Sequence, residues 1–490
     1  MQSTDSDRAA ISGRTDRKGT ALAIIVVMQL MLTIDLMIVT VALPSIGQEL
    51  NFTDGGLAWV VNAYGLALGG LMLLGGRFGD TFGRRRMFLV GVAVFTVASL
   101  AGGFATSDWW FLTCRALQGV GAALAMPNCL ALIFGLFAAG AERTKAITIS
   151  ASASSSGAVV GLLLGGVLAT GLSWRWVMFV NVPVGIVVFI LALIYLQEQD
   201  TKRGKFDIPG AVTSALGVGF LVYGLSQIGE SGLASPVAWI PLTVGAILFA
   251  AFVLIERRAA QPIMPLSLFG SRNRVAAYLS AVLVTGTMIG MSFFLTIFVQ
   301  GPLGFSPLIT GVSFLATGFA LVAASFFVGT LMRRIGERWT MVLGSVLLVV
   351  GYLLLTGLTP DSTYWVSIFG PLVLVGVGMA CTLIPATEMA GADVGSTNYG
   401  AASSTYNTMQ QLGGPIVLAV LVAVFQTATR AANAPAVSGD SEALQLTNAM
   451  APAFVAAAVL AVCVSVVSLF VTRTPRALAQ TAQKQTVAVK

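Results

Sequence analysis

The chain has 490 residues, of which 56% are hydrophobic and only 10% charged, and its mean hydropathy is +0.88. Soluble domains carry about a quarter charged residues, so this composition excludes a water-soluble enzyme, a nucleic-acid binder, a coiled coil and a disordered chain, and points to a polytopic membrane protein. The formal net charge of +7 then takes its meaning from where the basic residues lie.

Residues 1–19 are polar and are expected to form a tail. They lack the charged start followed at once by a short apolar core that marks a cleaved signal peptide, so the first span is expected to stay in the mature protein. A membrane-spanning helix needs roughly 20 apolar residues, and runs of that kind recur along the whole chain. The first six are predicted at 20–43, 56–75, 87–106, 109–135, 146–170 and 176–197. Two more follow at 207–227 and 236–255. The last six are predicted at 275–300, 307–331, 339–358, 364–387, 399–425 and 449–472. None of these runs alternates apolar with polar residues as a barrel strand must, so the expected fold is an all-α polytopic bundle of 14 transmembrane helices.

Loops held in the cytoplasm collect Lys and Arg. Of the 27 basic residues, 24 fall in the two tails and in every second loop, whereas Arg175 and Arg430 alone fall on the other side and Arg115 lies within the fourth span. Both termini are therefore predicted to be cytoplasmic, and the basic excess is a topology signal rather than a nucleic-acid footprint. GRFGDTFGRRRM, from Gly76 after the second span, is echoed by GTLMRRIGERWT, from Gly329 after the tenth, with Gly76/Gly329, Gly83/Gly336 and Arg85/Arg338 in register. The echo predicts related six-helix halves at 20–197 and 275–472, an inserted helix pair with its linkers at 198–274, and a cytoplasmic tail at 473–490, a 6 + 2 + 6 plan typical of transporters built from repeats.

Chemistry is restricted by what the sequence omits. It contains no histidine, and Cys114, Cys129, Cys381 and Cys463 all sit in apolar runs without metal-ligand spacing, so neither a metal site nor a disulfide framework is expected. No G-x-x-x-x-G-K-[ST] occurs, so no ATP motor is expected in the chain. A membrane enzyme or receptor is disfavoured by the lack of a catalytic constellation and of a soluble output domain.

Two ionisable residues stand out in the apolar spans. At 1.5 Å per residue Asp35 lies about 12 Å, and Arg115 about 9 Å, below the outer end of their spans. A charge at the bilayer centre costs about 2.5–3.5 kcal/mol on insertion scales, so both side chains should face a cavity or each other. One reading is an ion pair that only fixes packing. The other is a proton-coupling carboxyl: burial favours its protonated form, the guanidinium favours its ionised form, and relative movement of the two loads and releases a proton.

The motifs resemble those of the major facilitator superfamily, in particular its fourteen-helix drug:proton antiporters. The loop after the second span is similar to the family's G-x-L-A-D-R-x-G-R-R signature through Gly76, Phe78, Gly79, Asp80, Gly83, Arg84 and Arg85, with Thr81 in place of an Arg. Arg115, Gln118, Gly119, Gly121, Ala122 and Ala123 match R-x-x-Q-G-x-G-A-A, and Gly157, Gly161, Gly165 and Gly166 resemble the antiporter motif G-x-x-x-G-P-x-x-G-G, with Leu162 in place of the Pro. LTIDLMIVTVALP and WRWVMFVNVPVG resemble the fourteen-helix branch. The resemblance implies proton-driven export of amphipathic drugs or antibiotics by alternating access, from the cell inner (plasma) membrane, by a monomer whose energy source is the proton gradient and which needs no cofactor. Uptake or facilitated diffusion of a small solute or lipid is the alternative.

It also implies roles for residues whose bare chemistry permits plainer ones. The Gly76–Arg86 loop is a tight turn and a positive anchor, and within it Asp80 and Arg84 are a candidate conformational latch. The glycines of the fifth span are a close-packing stripe. Asn62, Tyr64 and Gln118 are weaker candidates for a substrate cavity. Under the repeat Met288 stands where the first span has Asp35, and with Met291 and Phe294 it could line an adaptable apolar pocket or simply pack. Glu388, at the cytoplasmic end of the twelfth span, reads as a solvated interfacial acid or as a second coupling acid.

Overall fold

The computed structural model describes residues 5–137, 140–198, 207–232, 235–259, 262, 264–392, 399–432 and 442–471, and every regular element among them is helical. In chain order these are α1 (Asp5–Leu50), α2 (Asp54–Phe82), α3 (Arg84–Gly103), α4 (Asp108–Leu136), α5 (Ala141–Gly171), α6 (Arg175–Phe179), α7 (Asn181–Tyr195), α8 (Ile208–Ser231), α9 (Pro236–Arg258), α10 (Arg272–Gln300), α11 (Pro307–Ser313), α12 (Leu315–Leu355), α13 (Phe369–Gly391), α14 (Tyr399–Ala432) and α15 (Glu442–Leu469). A 3₁₀ turn at Leu266–Gly270 leads into α10, and a π turn at Tyr364–Ile368 leads into α13.

Local chemistry sets the ends. The Thr53 hydroxyl accepts from Gly56 N–H at the start of α2, and the Asp207 carboxylate accepts from Gly210 N–H at the start of α8. Ser235 caps α9, with Pro236 supplying a first-turn residue that has no N–H to satisfy. Between α6 and α7 the helix loosens at Val180, three residues before Pro183, whose N has no hydrogen to donate. α1 begins at Asp5, inside the stretch expected to be a tail, because no proline interrupts residues 5–19 and polarity alone does not end a helix.

Twelve helices among the described residues are long and apolar enough to cross a membrane, and α5 adds a shorter apolar stretch, Ser156–Gly171. One of the twelve, Pro307–Leu355, has 49 residues. At 1.5 Å per residue it would be about 74 Å long, more than twice the roughly 30 Å hydrocarbon core. Gly336, at φ 83° and ψ 164°, interrupts it. Length and apolarity thus give twelve to fourteen spans, and each of the fourteen expected runs falls on one of these helices.

Gly336 is the repeat partner of Gly83, which breaks α2 from α3 at φ 106°. Both copies of the loop therefore turn on a glycine in a conformation that side chains with a Cβ avoid. The packing repeats as well. α1 lies against α5 as α10 lies against α14, α2 against α4 as the first part of α12 lies against α13, and α3 against α7 as α12 lies against α15. The two bundles meet along α2–α14, α5–α11 and α1–α10. The α8–α9 hairpin packs on α2 and α14.

Candidate functional site

The predicted ion pair exists, and it is the centre of a buried polar cluster drawn from five helices. Arg115 Nη1 donates to Asp35 Oδ2 at 2.7 Å, and neither side chain is exposed to solvent. Asp35 Oδ1 accepts from Gln118 Nε2 at 3.1 Å and from Asn181 Nδ2 at 2.7 Å. Arg115 also donates through Nη1 to Gln118 Oε1 at 2.8 Å and through Nε to Val60 O at 3.1 Å, and its guanidinium lies 4.5 Å from the centre of the Tyr64 ring. Gln118 Nε2 further donates to Ser99 Oγ, whose hydroxyl donates to Phe95 O.

The local sequence explains this convergence. Arg115 and Gln118 are three apart on α4 and share a face. Gly119 and Gly121 let α4 approach closely, since a Cβ at Gly119 would lie 2.4 Å from Tyr64 O and one at Gly121 2.6 Å from Phe95 N. Asn181 opens α7 just after the loosened turn. Both carboxylate oxygens and three of the donors around them are thus engaged inside the first bundle, out of reach of solvent.

Sequence reasoning singled out Asp35 and Arg115 and named Asn62, Tyr64 and Gln118 as weaker candidates; of these Gln118 and Tyr64 join the cluster. It missed Asn181, although WRWVMFVNVPVG contains it, and it missed Ser99. Asn62 is buried on α2, its Oδ1 lacks a hydrogen-bond partner, and it does not bond within the cluster. Met291 and Phe294 are buried in an apolar core to which both bundles contribute, the Phe294 ring packing on Phe293, Phe425 and Phe454, and the partly buried Met288 lies against the same core. Glu388 is exposed near the far end of α13, within electrostatic reach of Glu337, and stands apart from the Asp35 cluster.

The loop after α2 bonds chiefly within its own bundle. Asp80 Oδ1 accepts from Arg84 Nη2 at 2.9 Å and Nε at 3.2 Å, and Arg84 Nη1 reaches Ala131 O. Arg85 Nη2 donates to Leu193 O at 2.6 Å. Glu198, which the sequence did not single out, accepts from the N–H groups of Arg85 and Arg86 at 3.1 and 3.2 Å, so a carboxylate sits on the N-terminus of α3. A Cβ at Gly79 would collide with Asn128 Oδ1, whereas Gly76 has room, its nearest contact being Pro127 at 3.5 Å.

The α5 glycines serve two partners. Gly157, Gly161 and Gly165 face Thr33, Ile34 with Met37, and Ile38 of α1, whereas a Cβ at Gly166 would lie 2.6 Å from Leu308 Cα in the other bundle. At the same end Leu308 N donates to Thr170 Oγ1 at 3.1 Å and Gln300 Nε2 to Val41 O at 2.8 Å. The bundles are therefore closed on each other at the end predicted to face outward.

Comparison with known proteins places this geometry in a family. Residues 25–418 match the family model described as Major Facilitator Superfamily. The chain is 38% identical over 430 residues to the puromycin resistance protein Pur8 of Streptomyces alboniger, covering 87% of this chain and 85% of that one. It is also 38% identical over 429 residues to the cephamycin export protein CmcT of Amycolatopsis lactamdurans, covering 86% and 88%. Among solved structures the fold is similar to that of the POT-family transporter PepTSo, with a TM-score of 0.65, 15% identity and coverage of 92% and 99%. The chain, with its paired bundles and charged core cluster, belongs to the Major Facilitator Superfamily and is a transporter rather than an enzyme.

Proposed function

We propose that this protein exports amphipathic drugs or antibiotics in exchange for protons, by alternating access between the bundle of α1–α7 and that of α10–α15. The observation that carries the proton-coupled part is the wholly desolvated Asp35 carboxylate held by Arg115, Gln118 and Asn181. The names of Pur8 and CmcT, one an antibiotic resistance protein and the other an antibiotic exporter, support the class of substrate.

In this reading the carboxylate is ionised while its donors are in place. A shift of α4 or α7 against α1 inside the first bundle, coupled to the rocking, removes one donor, and the carboxyl takes up a proton. Substrate binds when the proton has left and is released outward when the proton returns. The α5 seal at Gly166 and the Asp80–Arg84 pair are the contacts that hold one state and yield in the other. The termini are cytoplasmic, the membrane is the inner (plasma) membrane, and a single chain suffices.

The test is export of a fluorescent amphipathic dye from proteoliposomes under an imposed pH gradient. Uphill export that collapses when an uncoupler dissipates the gradient is expected. Dye movement that ignores the gradient would identify facilitated diffusion instead.

A further inference from the structure

The α8–α9 hairpin does more than connect the bundles. α8 lies over the line where α2 of one bundle meets α14 of the other, and the three helices share one apolar cluster: Trp59 and Leu66 from α2, Val218 and Val222 from α8, and Leu412 and Ala419 from α14. This seam is one of the three contacts between bundles named above, and it must rearrange if they rock.

The attachment of α8 to the two sides is unequal. On the α2 side the Trp59 indole N–H donates to Ser226 Oγ at 3.2 Å, the Trp59 and Tyr223 rings meet at 6.0 Å, and a Cβ at Gly70 would lie 3.2 Å from Ala215 Cβ. At the far end of α2, Arg77 Nη2 donates to Pro262 O at 2.9 Å, tying α2 to the segment that follows α9. On the α14 side, Val218 and Val222 meet Leu412 and Ala419, and the bare backbone of Gly229 lies against Gln426, whose buried Oε1 has no hydrogen-bond partner among the described residues, and against Ala423. Two polar bonds set far apart fix orientation. Apolar and glycine surfaces can shear past each other with little change in energy.

We infer that the hairpin is a cover fixed to the α2 bundle that slides along α14, keeping this seam closed to lipid in every state of the cycle. Lipophilic molecules then cannot enter or leave between α2 and α14 from the bilayer.

Two measurements test this, the first resting on the export reading and the second independent of it. In a background lacking the native cysteines, Gly70→Cys with Ala215→Cys locks α8 to α2, and Gly229→Cys with Ala423→Cys, combined with Gln426→Ala to clear the space beside Gly229, locks it to α14, formation of each bond being checked by its loss on reduction. The first lock is expected to leave dye export unchanged and the second to abolish it, with recovery on reduction. Equal loss from both locks, or none from the second, overturns the sliding cover. For the second measurement, Ala419→Cys is expected to stay unreactive to a membrane-soluble maleimide with and without a proton gradient, while Val459→Cys on the lipid face of α15 reacts. Reaction of Ala419→Cys under either condition means that the seam opens to lipid and the inference fails. If the unlocked protein moves no dye, the export reading falls and the labelling alone decides whether the cover exists.

Discussion

Asp35 Oδ2 and Arg115 Nη1 meet at 2.7 Å with both side chains wholly screened from solvent. An ion pair of this kind contributes little net stability, because desolvation offsets its Coulomb energy, but losing one partner strands the other at a cost of about 3–5 kcal/mol. Asn181 and Gln118 satisfy the remaining oxygen of Asp35. The arrangement is a poor choice for holding helices together and a good one for sensing their separation.

Asp35→Asn imitates a permanently protonated carboxyl. Dye binding and downhill equilibration should persist, while uphill export driven by a pH gradient disappears; Asp35→Glu keeps a titratable group and should retain part of the activity. Vesicle assays at matched protein levels decide this. Full gradient-driven export by Asp35→Asn would move the coupling elsewhere, with Glu388 the next residue to replace.

Arg115→Ala and Asn181→Leu each remove a donor to Asp35. Gradient-driven export should fall in both at matched protein levels, further for Arg115→Ala, which removes a charge as well as a bond and strands the carboxylate. Unchanged export with normal expression would reduce Asn181 to a packing residue.

Gly166→Leu places a branched side chain where a Cβ already lies 2.6 Å from Leu308 Cα. Overpacking of this kind costs about 1–3 kcal/mol, and here it falls on one state only, the one closed at that end. A cysteine at Thr170 should become more reactive to a water-soluble thiol reagent, and export should drop. Unchanged reactivity would mean that α5 and α11 do not form the seal.

Glu198→Gln removes the anion from the N-terminus of α3 and should cost about 1 kcal/mol of stability. Asp80→Asn removes the partner of Arg84 and should lower export with little change in melting temperature, since a partly exposed pair contributes little. The contrast between the two variants, one read by thermal unfolding and one by transport, separates a fold-holding acid from a latch. Normal export by Asp80→Asn would leave the loop as a topology anchor.

Orientation can be read by labelling. In the cysteine-free background, Ser231→Cys in the α8–α9 turn should react with an impermeant reagent added outside intact cells, whereas Arg334→Cys should react only after permeabilisation. The reverse pattern would turn the protein over.

The helices were legible because each spans lipid and must be apolar for about 20 residues, and Asp35 and Arg115 were legible because an ionisable residue in such a run is expensive. Asn181 was not, since a neutral amide in an apolar helix gives no comparable signal and its role depends on where the turn at Val180 aims it. Glu198 looks like any surface acid until α3 is seen to start against it. Met291 and Phe294 suit a pocket lining and a core equally well by composition, and the rings of Phe425 and Phe454 that pack on Phe294 come from helices far along the chain. The place of α8 depends on small residues such as Gly70 and Gly229 meeting partners far along the chain, which no local pattern encodes.

The neutrality of the Asp35–Arg115 pair bears on how the membrane voltage enters. With the carboxyl ionised the pair carries no net charge, and with it protonated the site carries one positive charge. A monovalent cation bound in place of the proton gives the site that same charge, so exchange of one for the other moves no net charge across the bilayer. In the proposed exchange an uncharged compound leaves on a neutral, deprotonated site that returns protonated, so each proton carries its full charge inward, a step on which a potential acts with about 2.3 kcal/mol per 100 mV. Cationic dyes should therefore be driven by the pH difference alone, and neutral compounds by pH and voltage together.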